Sequence, residues 1–311
     1  MHKVFIDGSA GTTGLRIRER LEGRKDLSLI RIPEELRKDA AARRDALNAA
    51  DVAFLCLPDA AAVESAALVE NPATVVIDTS TAHRTSDAWE YGFPELAGRR
   101  ERIRAAKRIA NPGCHASGMI ALLEPLVSAG IVPASAPLAV FSLTGYSGGG
   151  KKMIAEYEVP SPKSEVLYSG GRQYALGQAH KHLPEVVKVC ALERAPVFSP
   201  IIVPHYSGME TSVMLHGEFV RGGLAAVEEC LRSHYGAGNG VVRFVPAAEL
   251  PAVLSSAMLS GRDDMLVTCH GTDERIVATA LFDNLGKGAS GAAIQNMNLA
   301  IGADEREGLV L

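Results

Sequence analysis

The first 78 residues alternate short apolar runs with helical stretches, and that alternation leaves few folds open. Val4–Asp7, Leu27–Ile32, Val52–Leu57 and Thr74–Ile77 read as strands, with Gly11–Leu21, Glu34–Ala49 and Ala60–Val69 as helices between them. Strands that are apolar along their whole length have both faces covered, which is the mark of a parallel sheet wound with helices on each side. The pattern changes near residue 114. A helix fits His115–Ala129. Then come strand-like runs with few helices, at Leu138–Leu143, Val197–Val203, Thr211–Phe219, Val241–Val245, Met265–Cys269 and Arg275–Phe282. One amphipathic helix, Leu224–His234, interrupts them, and the tail Gly288–Ile301 is helical again. The second part therefore reads as an α+β domain with a largely antiparallel sheet.

A chain of 311 residues with 47% hydrophobic content has material for two cores. With 32 basic and 36 acidic residues it carries a net charge of −4, which argues against nucleic acid or a membrane surface as the partner. The longest cationic cluster, Arg99–Arg108, is interrupted by Glu101 and apolar residues and reads as a solvated helix face. Five cysteines without a Cys-x-x-Cys pair fit neither a disulfide framework nor a cysteine-rich zinc site. The opening Met1–Gly8 reads as a strand start rather than a signal peptide, and no 18-residue apolar run is present, so a cytoplasmic protein is expected.

Two local patterns point to chemistry. Gly8-Ser9-Ala10-Gly11-Thr12-Thr13-Gly14 follows the first strand and opens the first helix. Glycines there permit a tight turn, and the helix N-terminus then faces a pyrophosphate with its N–H groups. The spacing is Gly-x-x-Gly-x-x-Gly, weaker alone than Gly-x-Gly-x-x-Gly, but its position between strand and helix is the one a dinucleotide needs. The second strand ends Leu29-Ile30-Arg31-Ile32-Pro33, without the acid that usually holds the ribose 2′-hydroxyl of NAD. Arg31, Arg37 and Lys38 are nearby cations, with Ser9 and Thr12 as further donors, so NADP is expected despite Glu34 and Glu35.

The second pattern is Asn111-Pro112-Gly113-Cys114-His115-Ala116-Ser117-Gly118. Pro and Gly force a turn, and a helix starts at or just after Cys114. The positive end of a helix lowers a thiol pKa and makes the thiolate available. Cys56, Cys190, Cys230 and Cys269 lie in apolar stretches and read as buried structural thiols.

This segment resembles the N-acetyl-γ-glutamyl-phosphate reductase family of semialdehyde dehydrogenases, most closely the shorter of its two types. The resemblance runs along nearly the whole chain. Gly8–Gly14, the segment Asp78–Arg84 containing Ser80, and Tyr91-Gly92-Phe93-Pro94-Glu95 fit. So do Gly145-Tyr146-Ser147-Gly148-Gly149-Gly150-Lys151, His180-Lys181-His182-Leu183-Pro184-Glu185, Val203-Pro204-His205 and Asn284-Leu285-Gly286-Lys287-Gly288-Ala289. His115 stands where the longer type usually has an aromatic or Thr, Ser117 stands for a Thr of that signature, and Lys151 stands for the usual Arg.

The resemblance implies a Rossmann-like NADP domain over residues 1–114, with the tail 284–311 packing back on it. It implies a catalytic domain over 115–283 of the type found in glyceraldehyde-3-phosphate dehydrogenase, with the active site in the crevice between the two. Cys114 is the expected nucleophile, forming a thioester, with His182 as acid/base and His180 second. Gly8, Ser9, Gly11, Thr12, Thr13, Gly14, Arg31, Ser80, Ser147, Gly148 and Asn284 are expected on the cofactor. Arg84, Asn111, Lys151, Glu185 and His205 are expected on the acyl phosphate substrate or on phosphate. His83, His216, His234 and His270 are read as structural, and no metal site is expected. A homodimer or homotetramer is expected. Two rivals stand beside this reading: an aspartate-semialdehyde dehydrogenase, whose cysteine usually follows Asn rather than Gly, and a non-catalytic NADP-sensing protein.

Overall fold

The computed structural model describes residues 1–159, 164–236 and 240–311. It divides into two compact units, Met1–Pro112 with Ala289–Leu309, and Gly113–Gly288 with Val310–Leu311.

In the first unit the strands are β1 (His2–Asp7), β2 (Leu27–Ile30), β3 (Val52–Leu55), β4 (Val75–Asp78), β5 (Glu90–Tyr91) and β6 (Arg108–Ala110). They form one parallel sheet in the order β2-β1-β3-β4-β6-β5. Every residue of β3 and β4 is buried, which explains their unbroken apolar runs. Helices α1 (Thr12–Leu21), α2 (Ala40–Ala49), α3 (Asp59–Ala67) and α4 (Arg99–Ala105) accompany the strands. Val4 and Ile6 join Ile17, Leu21 and Ile103 in one core, while Phe5 joins Leu47, Leu55 and Val76 in the other. This is the two-residue period of a strand dividing its side chains between two layers.

The stretch Glu34–Ala49 is not one helix. A 3-10 turn spans Glu34–Leu36, and α2 starts afresh after Asp39, whose carboxylate accepts the Ala42 N–H at 2.8 Å. That cap sets the boundary that periodicity alone misses. In the Arg99–Arg108 cluster, Arg99 and Arg102 pair with Glu90 and Arg100 with Glu305, while Ile103 turns inward.

The second unit opens with α5 (Cys114–Ser128) and continues through β7 (Ala139–Gly145), α6 (Gly150–Glu158), α7 (Ser164–Tyr168), β8 (Arg172–Gln173), α8 (Leu183–Val189), β9 (Val197–Val203) and β10 (Met209–His216). It is completed by α9 (Gly223–Gly236), β11 (Val242–Phe244), β12 (Met265–Thr272) and β13 (Arg275–Phe282). Its seven strands are ordered β11-β12-β13-β10-β7-β9-β8, with only the β11–β12 and β7–β9 pairs parallel. Helices α6, α7 and α8 exceed what the sequence showed, because each is too short to display a clear period. Gly145–Gly150, read as a loop, becomes a 3-10 turn over Tyr146–Gly149 that runs into α6. A final helix, α10 (Gly291–Ala300), supplies Ile294 and Met297 to the first unit's core.

Helix α5 lies directly on the sheet, and Gly118 lets it approach. A Cβ there would stand 2.5 Å from Thr211 Oγ1 and 2.7 Å from Thr211 Cβ on β10. Gly118→Ala is expected to cost about 1–3 kcal/mol through overpacking, read as a lower urea midpoint with an unchanged slope.

Candidate active site and dinucleotide cradle

Strand β1 ends at the point where β2 and β3 lie on opposite sides of it, the usual place for a ligand in an open parallel sheet. Gly8 has φ +87°, and a Cβ on it would stand 2.3 Å from the Cys56 carbonyl oxygen. Only glycine fits there. A Cβ on Gly14 would stand 2.5 Å from Gly8 O, so a second glycine lets the first turn of α1 close onto the loop. Gly11 occupies the N-cap and has no side chain to satisfy the first N–H groups of α1.

A cavity of about 500 Å³ opens beside this turn. Gly8, Ser9, Gly11 and Arg31 line it. Thr12 and Thr13 sit on the adjoining helical turn, and Ser80 instead donates to Asp78 at 2.7 Å. Arg18, Arg31, Arg37, Lys38 and Arg43 also border the cavity, against the acids Asp7 and Glu34. Asp7 is taken by Arg43 at 2.8 Å, Glu34 by Arg37 at 2.5 Å, and Arg31 reaches Glu22 at 3.0 Å. Lys38 has no carboxylate partner among the described residues. Glycine turn, uncapped amides and surplus cations fit the phosphates of a dinucleotide. Cys56 also borders the cavity, with its thiol pushed up to about 12 by burial, in keeping with an inert role.

The second unit holds the thiol. Gly113 is the N-cap of α5 and Cys114 its first residue. The Gly113 N–H donates to Glu185 Oε2 at 3.2 Å, and the Gly113 carbonyl accepts from Ser117 N–H at 2.8 Å and Ser117 Oγ at 3.1 Å. Glu185 is 1% exposed and braces the turn that leads into Cys114. A Cβ on Gly288 would stand 3.0 Å from Cys114 Cβ, which makes that glycine the clearance beside the thiol.

Three imidazoles cluster here. Ring centroids of His115 and His180 are 5.2 Å apart, those of His180 and His182 4.7 Å, and those of His115 and His182 5.9 Å. The His182 N–H donates to His180 Nδ1 at 3.1 Å. That fixes the proton of neutral His180 on Nε2, which faces the Tyr174 hydroxyl at 3.3 Å. Tyr174 then donates to His115 Nε2 at 2.7 Å, and His115 Nδ1 donates to Ser142 Oγ at 2.8 Å. Ser142 Oγ in turn donates to the Glu210 carbonyl at 3.1 Å. Burial first, and Lys181 second, push His180 down to about 4. Burial and then His180 hold His115 well below the ordinary imidazole range. Burial, then the charge of Cys114, raise the Tyr174 hydroxyl. Tyr174 carried no motif of its own, and His115 stood out only as a departure from the family pattern.

Other expected contacts turn out to be braces. Asn284 Oδ1 accepts the Gly208 N–H at 2.9 Å, and its Nδ2 donates to Ser147 Oγ at 3.0 Å, fixing the loop that contains Gly148. Asp283, which the sequence reading passed over, is fully buried and accepts from Ser207 Oγ and the Leu285 N–H, each at 2.7 Å. His205 meets Ser256 Oγ at 2.9 Å. Lys151 is exposed in the first turn of α6. In the first unit, Arg84 is buried and donates to the carbonyls of Asn111 at 2.8 Å and Thr79 at 2.9 Å. Asn111 is buried too, bonded to Ala289 O and Asn296, each at 3.1 Å. Neither offers the open fork or amide that was expected for phosphate.

Residues 9–106 match the model of the semialdehyde dehydrogenase NAD-binding domain, and residues 114–284 that of the semialdehyde dehydrogenase dimerisation domain. N-acetyl-γ-glutamyl-phosphate reductase 2 of Pseudomonas putida is 44% identical over 313 residues, covering 98% of each chain. The N-acetyl-γ-glutamyl-phosphate reductase of Brucella ovis is 47% identical over 309 residues, covering 96% of this chain and 99% of that one. The chain belongs to the N-acetyl-γ-glutamyl-phosphate reductase family. A nicotinamide dinucleotide is the cofactor of the family's first domain. Among solved structures, aspartate semialdehyde dehydrogenase II of Vibrio cholerae, complexed with ASA, superposes with a TM-score of 0.73 at 18% identity, over 97% of this chain and 98% of that one. The Candida albicans aspartate semialdehyde dehydrogenase with NADP gives 0.67 at 15%, over 96% and 99%. These two share the fold. Among the described residues no helix is long and apolar enough to cross a membrane.

Because burial holds the His180 pKa below its ordinary value near ~6.5, its neutral form is the folded one. Its contribution to stability is complete above that value and is lost as pH falls toward about 4. Thermal midpoints of the wild type should drop across that window, and those of His180→Asn should drop less.

Proposed function

We propose that this chain reduces N-acetyl-γ-glutamyl phosphate to N-acetyl-glutamate semialdehyde and phosphate, a step of arginine biosynthesis, with NADPH as the reductant. The observation that carries the chemistry is Cys114 as first residue of a buried 15-residue helix, beside a cluster of imidazoles. The Cys114 thiolate attacks the acyl carbonyl, the C–O bond to phosphate breaks, and a thioester remains. N–H groups of the first turn of α5 receive the charge on the carbonyl oxygen. A reduced nicotinamide dinucleotide held at the glycine turn and cations of the cradle would supply the hydride needed at the thioester carbonyl. The C–S bond of the thiohemiacetal then breaks, releasing the aldehyde and returning the thiolate.

His182 is the proton carrier at the thiohemiacetal oxygen, on the carbon bonded to the Cys114 sulfur. His180 and His115 each have both ring nitrogens engaged in one directed chain of hydrogen bonds and are held neutral, which suits them to positioning. Lys151 and the loop at Ser147 and Gly148 form the phosphate side. A second copy packs on the sheet face where Phe141, Leu143 and Ile201 are half-exposed and Met214 is exposed, giving a homodimer or homotetramer.

The reading is tested in reverse, as phosphate-dependent NADP reduction by purified protein with N-acetyl-glutamate semialdehyde or with aspartate semialdehyde. Turnover of the acetylated compound is expected, and preference for aspartate semialdehyde would move the enzyme to the rival reading. Cys114→Ser should lose nearly all turnover while binding NADPH as the wild type does. His182→Asn should lose about 100- to 10,000-fold in kcat.

Preference for NADP over NAD rests on the excess of cations at the cradle and on the absence of an acid at the end of β2. The double variant Arg31→Ala, Lys38→Ala should weaken NADPH binding by about tenfold or more and leave NADH binding nearly unchanged, measured by nucleotide fluorescence.

A further inference from the structure

Four of the seven tyrosines, Tyr146, Tyr157, Tyr168 and Tyr206, gather in one part of the second unit. Tyr146 stacks on Tyr157 with centroids 4.5 Å apart, and Tyr168 meets Tyr157 edge-on at 4.9 Å. Arg172 completes the group. Its guanidinium carbon lies 4.2 Å from the Tyr168 centroid and 5.6 Å from that of Tyr157. Both distances are within cation–π range, so the charge is fixed in place by two rings. Its Nη1 is buried and has no hydrogen-bond partner among the described residues, and no carboxylate among them pairs with it. A buried donor left without an acceptor is costly, and the cost is recovered when a ligand supplies one.

The direction of the strand says which ligand. Arg172 pairs with buried Ile202 across β8 and β9, and the ladder continues with the Tyr174 N–H on Pro200 O. Side chains two residues apart on a strand share a face, about 7 Å apart. Arg172 therefore stands one strand step from Tyr174, whose hydroxyl touches His115 and His180 and lies near enough to Cys114 to feel its charge. In a glutamyl chain the α-carboxylate and the reacting carbonyl are four carbon–carbon bonds apart, roughly 5 Å when extended. Phosphate, by contrast, leaves from the carbonyl that bonds to the Cys114 sulfur. A guanidinium edge also matches a planar carboxylate in a bidentate pair.

We propose that Arg172, held between Tyr157 and Tyr168, binds the α-carboxylate of the N-acetyl-glutamyl substrate and sets the enzyme's specificity for an amino-acid-derived acyl chain. The proposal rests on the reductase reading.

The test compares N-acetyl-glutamate semialdehyde with 4-acetamidobutanal, which lacks only the carboxylate, in phosphate-dependent NADP reduction. Arg172→Met should lower kcat/KM for the carboxylated substrate by about 30-fold or more. It should leave 4-acetamidobutanal turnover and the KM for phosphate within about twofold of wild type. Arg172→Lys should recover part of the preference. An unchanged iodoacetamide labelling rate at Cys114 shows that the thiol site is intact. If Arg172→Met does not fold, the carboxylate preference of Arg172→Lys must still fall below that of the wild type. A raised KM for phosphate alone, an equal loss on both aldehydes, or no loss overturns the assignment. A wild type that ignores N-acetyl-glutamate semialdehyde overturns the reductase reading as well, which separates the two failures.

Discussion

One hydrogen bond carries more of this molecule's chemistry than any other. Glu185, buried on α8, accepts the N–H of Gly113 and so fixes the turn from which α5 begins. Cys114, the proposed nucleophile, is the first residue past that turn. Its sulfur therefore inherits the electrostatics of a helix N-terminus only while the cap geometry holds. The carbonyl of the same glycine is tied down by Ser117, one turn further on. Glu185, expected on the substrate from the resemblance, is tied through that backbone N–H to the turn before Cys114.

The imidazoles obey a comparable constraint. A backbone N–H can only donate, so the His182 amide settles the tautomer of His180, and each later bond in the row follows from that choice. The row ends on a backbone carbonyl of β10, which can only accept. The row thus has a direction from the His182 amide to Ser142, which also meets Thr211 Oγ1 at 3.1 Å. Burial reinforces it by keeping the two terminal-shell imidazoles neutral.

Much of this was legible in the sequence, for reasons that differ by position. Gly8 and Gly14 were visible because the backbone they enable excludes a Cβ. Cys114 was visible because Pro112 and Gly113 announce the turn before it. The parallel sheet was visible because doubly covered strands stay apolar throughout. Arg84, Asn111, Glu185 and Asn284 stand in motifs of the sequence, but the hydrogen bonds that engage them in the fold are not legible there. A sequence shows which donors a residue owns and not which neighbour consumes them. Tyr174 and Arg172 escaped notice for a related reason: no sequence signal shows that α6 and α7 bring Tyr157 and Tyr168 to Arg172, and the His115 that meets Tyr174 comes from α5. Helices α6 and α8 were missed because nine and seven residues are too few to establish a period.

The arrangement of the chain inverts the order in which its parts can mature. Apart from Val310–Leu311 the second unit is drawn from one stretch, Gly113–Gly288, whereas the first unit joins Met1–Pro112 to Ala289–Leu309. Ala293, Ile294, Met297 and Leu299 belong to the same core as Val4, Ile17 and Phe54. On the ribosome, the sheet that is made first must wait for the last helix before its apolar layer is closed, and the later-made domain has all of its own strands sooner. Until then the exposed layer is a natural client for chaperones. Loss of α10 would strip Ala293, Ile294, Met297 and Leu299 from the core that seats β1, the strand leading into the cradle.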